Sequence, residues 1–112
     1  MNFSKLHILL ACNLGASTGV MVARMEEVVK NSEKLKDKDI LISAHPAGEL
    51  EEYIDKFDVV LIGPQISHRF EELKQIADAH GKPIEIINSQ DYGTVNGGNI
   101  IKAAILLKLN NQ

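Results

Sequence analysis

Apolar runs and helical patterns alternate along this chain, and that order leaves few folds open. Four short runs read as strands: Leu6 to Ala11, Ile40 to Ala44, Asp58 to Gly63 and Ile84 to Ile87. The cleanest is Val59-Val60-Leu61-Ile62, continuous and mostly β-branched, as suits a strand covered on both faces. Helical spacing predicts a first helix from about Ser17 to Asn31, with Met21, Met25, Val28 and Val29 as its inward stripe. Pro46-Ala47-Gly48 breaks the chain before a short second helix marked by Leu50, Tyr53, Ile54 and Phe57. The third carries Phe70, Leu73, Ile76 and Ala77 and stops at Gly81, with Pro83 beyond. A polar loop, Asn88 to Gly98, is expected to lead to a last helix from about Asn99 to Leu109. Strict alternation implies an α/β fold: an open, four-stranded parallel sheet with helices on both faces and right-handed crossovers. The expected strand order is 2-1-3-4, which puts a topological switch beside the first strand. A chain of 112 residues is long enough for one core, so residues 1–112 are read as a single domain.

That switch point falls on Cys12-Asn13-Leu14-Gly15-Ala16-Ser17-Thr18-Gly19. A strand, a short loop and a helix in that order aim several backbone N–H groups at one point, where the helix dipole favours an anion. Gly15 and Gly19 allow N–H groups to turn inward, and Ser17 and Thr18 add hydroxyl donors. Cys12 is the only cysteine, placed at the strand's exit. The thiolate is the reactive form, and helix N-termini favour it. The stretch reads as a phosphate cradle, residues Asn13 to Gly19, with a nucleophile at its edge. The structural reading, a small buried residue behind a strand, stands beside it, because buried structural thiols are inert.

Composition removes other classes of function. A net charge of −3 without a basic cluster argues against a nucleic-acid partner. One cysteine forbids an internal disulfide and suits a reducing compartment. Met1-Asn2-Phe3-Ser4-Lys5 runs directly into the first strand, unlike a secretory leader. No apolar stretch approaches the ~20 residues of a membrane span, so a cytoplasmic chain without direct membrane insertion is expected. The four histidines lack metal-ligand spacing, and neither metal nor other cofactor is expected.

The expected topology gathers three loops at one sheet edge: Cys12 onward, Pro64-Gln65-Ile66-Ser67-His68-Arg69, and Gln90-Asp91-Tyr92-Gly93. Cys12 to Thr18, Gly63-Pro64-Gln65 and Gln90-Asp91-Tyr92-Gly93 together resemble the enzyme IIB component of the lactose/cellobiose/chitobiose branch of the sugar phosphotransferase system. The resemblance covers essentially the whole chain in length and element order. It implies that Cys12 accepts a phosphoryl group from a phosphohistidine on enzyme IIA. It implies next that Cys12 passes the group to a disaccharide of cellobiose, chitobiose or lactose type, held by the membrane enzyme IIC. The chain would then work in the cytoplasm and meet the inner face of the membrane only through IIC. The family loop commonly has Met where this chain has Ala16 and Ser where it has Gly19. Both departures leave thiol and backbone cradle intact, and no side-chain role is carried over to those two positions.

A rival enzyme class shares the strand-loop-helix order. Low-molecular-weight protein tyrosine phosphatases open their loop with a cysteine, then five residues, an arginine and a hydroxyl residue. The arginine position here is Thr18, so the clamp on the transition state is missing. Asp91 could stand for the phosphatases' general acid, although an aspartate before a helix is commonly a cap or turn former. A non-catalytic anion-binding module is the third reading and requires an inert Cys12. His68 and Arg69, near the expected active edge, are candidates for contact with partner or phosphate, against the simpler role of a solvated helix start. Pro64, Gln65, Gln90, Asp91 and Tyr92 are candidates for supporting the loop or touching a partner. His7 is expected at the far end of the sheet in a structural role, and His45 and His80 at turns.

Overall fold

The computed structural model describes residues 3–13 and 16–111. Four strands, β1 (Lys5–Cys12), β2 (Asp39–Pro46), β3 (Val59–Ile62) and β4 (Ile84–Ile86), form one sheet in the order β2-β1-β3-β4. Every pairing is parallel, as the β-α alternation requires. Five α-helices accompany them: α1 (Ala16–Asn31), α2 (Leu50–Tyr53), α3 (Phe70–Ala79), α4 (Ser89–Gly93) and α5 (Gly97–Leu109).

Alternation of side chains along β1 and β3 divides the core into two layers. Leu6, Ile8 and Leu10 of β1 and Val59 and Leu61 of β3 face α1 and α5, meeting Met21, Met25, Ile100, Ile101 and Ala104. Leu9, Ala11, Val60 and Ile62 face the other side, against Leu50, Ile54, Leu73 and Ala77 of the α2–α3 layer. Both central strands are therefore apolar at nearly every position, and β3 is buried along its whole length. The two methionines of α1 are core residues, 1% and 0% exposed, as their helical spacing predicts.

Local chemistry sets the element ends. Gly81 takes φ +69 just past α3, the left-handed conformation that glycine reaches without a Cβ penalty. Asn88 caps α4, its side-chain oxygen accepting from the N–H groups of Gln90 (2.9 Å) and Asp91 (3.1 Å). Asn96 does the same for α5, accepting from Asn99 N–H at 3.0 Å.

The expected short second helix is present, a single α-turn between 3-10 turns at Ala47–Glu49 and Ile54–Lys56. Two expectations need correction. The span Asn88 to Gly98 is not all loop: it contains α4, and α5 begins at Gly97, ahead of the expected Asn99. His45 lies within β2 and not at a turn, its ring stacked on Tyr53 at a centroid distance of 3.9 Å and bonded through Nε2 to Ser43 Oγ (3.1 Å).

Candidate active site

In a parallel sheet all strands end on one side, and the candidate residues follow those ends. Cys12 closes β1, paired in register with Pro46 of β2. Gly63 follows β3, its N–H still donating to Ala11 O at 3.1 Å. A 3-10 turn, Pro64–Arg69, carries Pro64, Gln65, His68 and Arg69, and α4 carries Gln90, Asp91 and Tyr92. The three expected loops thus share one edge of the sheet.

Cys12 is 4% exposed, and its Sγ lies 3.5 Å from Thr18 Oγ1. Either atom can donate in that contact. Thr18 is 5% exposed, and it is the one buried polar residue among the described residues. A buried hydroxyl needs a partner, and the sulfur serves as one. Thr18 sits in the first turn of α1, where backbone N–H groups lack intrahelical acceptors. That turn carries no carboxylate, so nothing there opposes an anion. Between Asn13 and Ala23 there is no Lys or Arg either. Of the expected cradle, Asn13 is exposed and Gly19 lies exposed on α1. Leu14 and Gly15 fall outside the described residues, as do the side chains of Ala16 and Ser17.

The other candidates divide. Gln65 reaches back over Gly63, on the side of the sheet where Cys12 lies. Arg69 is engaged elsewhere: its Nε donates to Glu72 Oε1 at 2.9 Å. That hydrogen bond, and then the ion pair behind it, hold the Glu72 carboxyl below the usual carboxylate range and the guanidinium above its own. His68 is exposed on the 3-10 turn. Asp91 Oδ1 accepts from Asn99 Nδ2 at 3.0 Å, tying α4 to α5, while Tyr92 packs against the α1–α5 core layer. Asp91 therefore acts as a brace between two helices, and the cap of α4 is Asn88. His7 sits at the opposite end of β1, with Nε2 3.1 Å from Asp39 Oδ1 but outside hydrogen-bonding geometry. His80 also lies away from the site, its Nδ1 2.8 Å from Asp55 Oδ1.

Two contributors escaped the sequence reading. Gly63 was legible as a strand ender, yet its missing side chain leaves the space that Gln65 uses. Asn88 was legible through the run Asn-Ser-Gln-Asp, a capping residue ahead of a polar turn. A recess of about 480 Å³ opens at the far end of β4 between Lys82, Pro83 and Leu107, away from the strand end that carries Cys12.

Residues 7–103 match the model of the family described as the PTS system, lactose/cellobiose-specific IIB subunit. The chain belongs to that family. Relatives of this IIB chain agree across nearly its full length. The cellobiose-specific EIIB component of Lactococcus lactis subsp. lactis is 31% identical over 102 residues, 87% of this chain and 91% of that protein. The oligo-beta-mannoside-specific EIIB component of Bacillus subtilis is 34% identical over 103 residues, 92% and 96% respectively. The galactose-specific EIIB component of Lactococcus lactis subsp. cremoris is 31% identical over 102 residues, 87% and 91%. The solution structure of a cellobiose-specific IIB component from Borrelia burgdorferi superposes with a TM-score of 0.79 at 39% identity, covering 96% of this chain and 95% of that one. A lactose-specific IIB domain from Streptococcus pneumoniae shares the fold at 16% identity and TM-score 0.72, covering 96% and 97%. This IIB chain is thus a sugar-specific component of a phosphotransferase system. Among the described residues no helix is long and apolar enough to cross a membrane.

Proposed function

We propose that this IIB chain carries a phosphoryl group on Cys12, between a phosphohistidine of enzyme IIA and a sugar held by the membrane enzyme IIC. One observation carries the reading: the lone thiol ends β1 with Thr18 Oγ1 3.5 Å from its sulfur, at the N-terminal turn of α1. In the first transfer the Cys12 thiolate puts an electron pair on phosphorus, forming S–P as the P–N bond breaks, and the imidazole leaves with that bond's electrons. The phosphoryl oxygens are held by N–H groups from the stretch Asn13 to Gly19, by the hydroxyls of Ser17 and Thr18, and by the dipole of α1. In the second transfer a sugar hydroxyl oxygen attacks the same phosphorus, forming O–P as the S–P bond breaks; the sulfur leaves as thiolate with that bond's electrons, and the hydroxyl proton passes to solvent. Pro64, Gln65, His68 and Gln90 serve this edge as support or partner contacts, Asp91 and Tyr92 support it by holding α4 in place, and Arg69, paired with Glu72, is left to partner contact. The relatives act on cellobiose, oligo-beta-mannosides and galactose by their names, and a disaccharide of cellobiose, chitobiose or lactose type is the proposed cargo. The work is done in the cytoplasm, with IIC the only link to the membrane.

The absence of a cation near the sulfur in sequence supports a carrier over a hydrolase. A phosphatase needs a guanidinium on the equatorial oxygens and a free acid or base for the water step. Here Thr18 occupies the guanidinium's position and Asp91 is bonded to Asn99. Incubation with a generic aryl phosphate tests this directly. The expected result is no catalytic turnover; hydrolysis at about 1 to 100 per second, the ordinary enzyme range, would replace the carrier reading with the phosphatase one.

A further inference from the structure

Gly63 ends β3 with φ −62 and ψ 139, a conformation open to any residue, so backbone geometry does not require glycine there. Space does. Leu61 faces the layer of Ile8 and Leu10, and two residues on Gly63 faces the same side of the sheet as Cys12. A Cβ on Gly63 would lie 3.6 Å from Cys12 Cβ but only 2.8 Å from Gln65 Oε1 and 3.8 Å from Gln65 Cδ. The first distance is ordinary packing, while the second is closer than real Cβ contacts come. The far end of the Gln65 side chain, an exposed residue of the following 3-10 turn, therefore folds back over Gly63, on the side of the sheet where Cys12 lies. A side chain at position 63 would displace that carboxamide, at little cost to the fold because the Gln65 side chain is flexible and exposed.

We propose that Gln65 is a phosphoryl-contacting residue, and that Gly63 is glycine in order to seat it. The assignment rests on the carrier reading of Cys12. Rotation about Cγ–Cδ exchanges Oε1 and Nε2, so the seated carboxamide presents an N–H donor to a phosphoryl oxygen on Cys12. It does so from the β3 side, while Thr18 stands on the α1 side. A neutral donor stabilises the group without the strong hold of a guanidinium, which suits a group that must be given away.

The test compares wild type with Gln65→Ala, Gln65→Glu, Gly63→Ala and the double variant Gly63→Ala/Gln65→Ala. Each is supplied with phosphoenolpyruvate, the general phosphotransferase proteins and IIA, and phosphoryl gain is timed by intact mass. Loss of one hydrogen bond to a charged group corresponds to about a tenfold slower gain in Gln65→Ala. Gln65→Glu, alike in shape but anionic, is expected to lose more. Gly63→Ala is expected to match Gln65→Ala, and the double variant to be no slower than either, since both changes remove one contact. A parallel readout is alkylation of Cys12 by iodoacetamide, which places no phosphoryl oxygens in the site. Its rate is expected not to fall in Gln65→Ala, since trimming that side chain leaves the thiol at least as open as before. Wild-type phosphoryl gain in Gln65→Ala, multiplied losses in the double variant, or a matching fall in alkylation would each overturn the assignment and leave the carrier reading standing. A wild type that alkylates normally yet gains no phosphoryl group would overturn the carrier reading, and this assignment with it.

Discussion

Gly97 and Arg24 touch through their backbones: a Cβ on Gly97 would lie 3.0 Å from Arg24 O and 3.1 Å from its carbonyl carbon. This is where the start of α5 crosses α1, and the absence of a side chain sets the spacing of the two helices. Carbonyl atoms in the middle of a helix cannot yield as a flexible side chain would. Gly97→Ala is expected to cost about 1–3 kcal/mol, the usual penalty of overpacking. Thermal unfolding checks it, with a lowered melting temperature expected and an unchanged one contradicting the contact.

Thr18 offers a cleaner probe of the site, because its hydroxyl and its bulk separate. Thr18→Val keeps the shape of a buried side chain and removes the group 3.5 Å from Cys12 Sγ. Phosphoryl gain on Cys12 is expected to slow by about tenfold, the usual scale for losing one hydrogen bond to a charged group. The melting temperature is expected to change little, since the group left without its contact is a thiol, a weak donor and acceptor. Equal rates in the two proteins would remove the hydroxyl from the proposed cradle.

His80 gives the fold a pH dependence away from the site. Its Nδ1 bonds Asp55 Oδ1 at 2.8 Å, and Glu51 Oε2 stands 3.8 Å from Nε2. The Asp55 hydrogen bond chiefly raises the imidazole above its ordinary value; burial opposes it as the next-largest effect, and the charges of Asp55 and Glu51 add to the rise. A group raised on folding stabilises fully below its unfolded value, near 6.5, and loses that contribution as pH climbs through the folded value. His80→Gln is therefore expected to melt below wild type at acidic pH, with the gap closing toward alkaline pH. A gap constant across the range, or widening with pH, would contradict the ion pair.

The sheet was legible because its evidence is dense. Val59 to Ile62 and Leu6 to Ala11 are nearly unbroken apolar runs, and alternation with helices leaves one sensible strand order. Cys12 was legible from its place at a strand exit ahead of glycine and hydroxyl residues. Elements fixed by few residues were harder to read. The five residues of α4 are too short to show a helical period, so its only signal is the Asn88 cap. The turn after it puts the left-handed conformation on Val95, φ +52, where a β-branched side chain is strained and glycine would be looked for. His45 belongs to a strand through its stack on Tyr53, a partner eight residues on that strand periodicity does not reveal. The roles of Gly63 and Gly97 are steric, set by side chains and backbones distant in sequence, and a glycine alone does not announce them.

The central claim is that the sulfur of Cys12 holds the phosphoryl group. Intact mass, before and after incubation with phosphoenolpyruvate, the general phosphotransferase proteins and IIA, measures it most directly. The expected result is a gain of one phosphoryl group, localised to Cys12 by fragmentation and absent from Cys12→Ser, whose hydroxyl is barely ionised near neutral pH. A phosphoryl group found on another residue, or gained equally by Cys12→Ser, would contradict it.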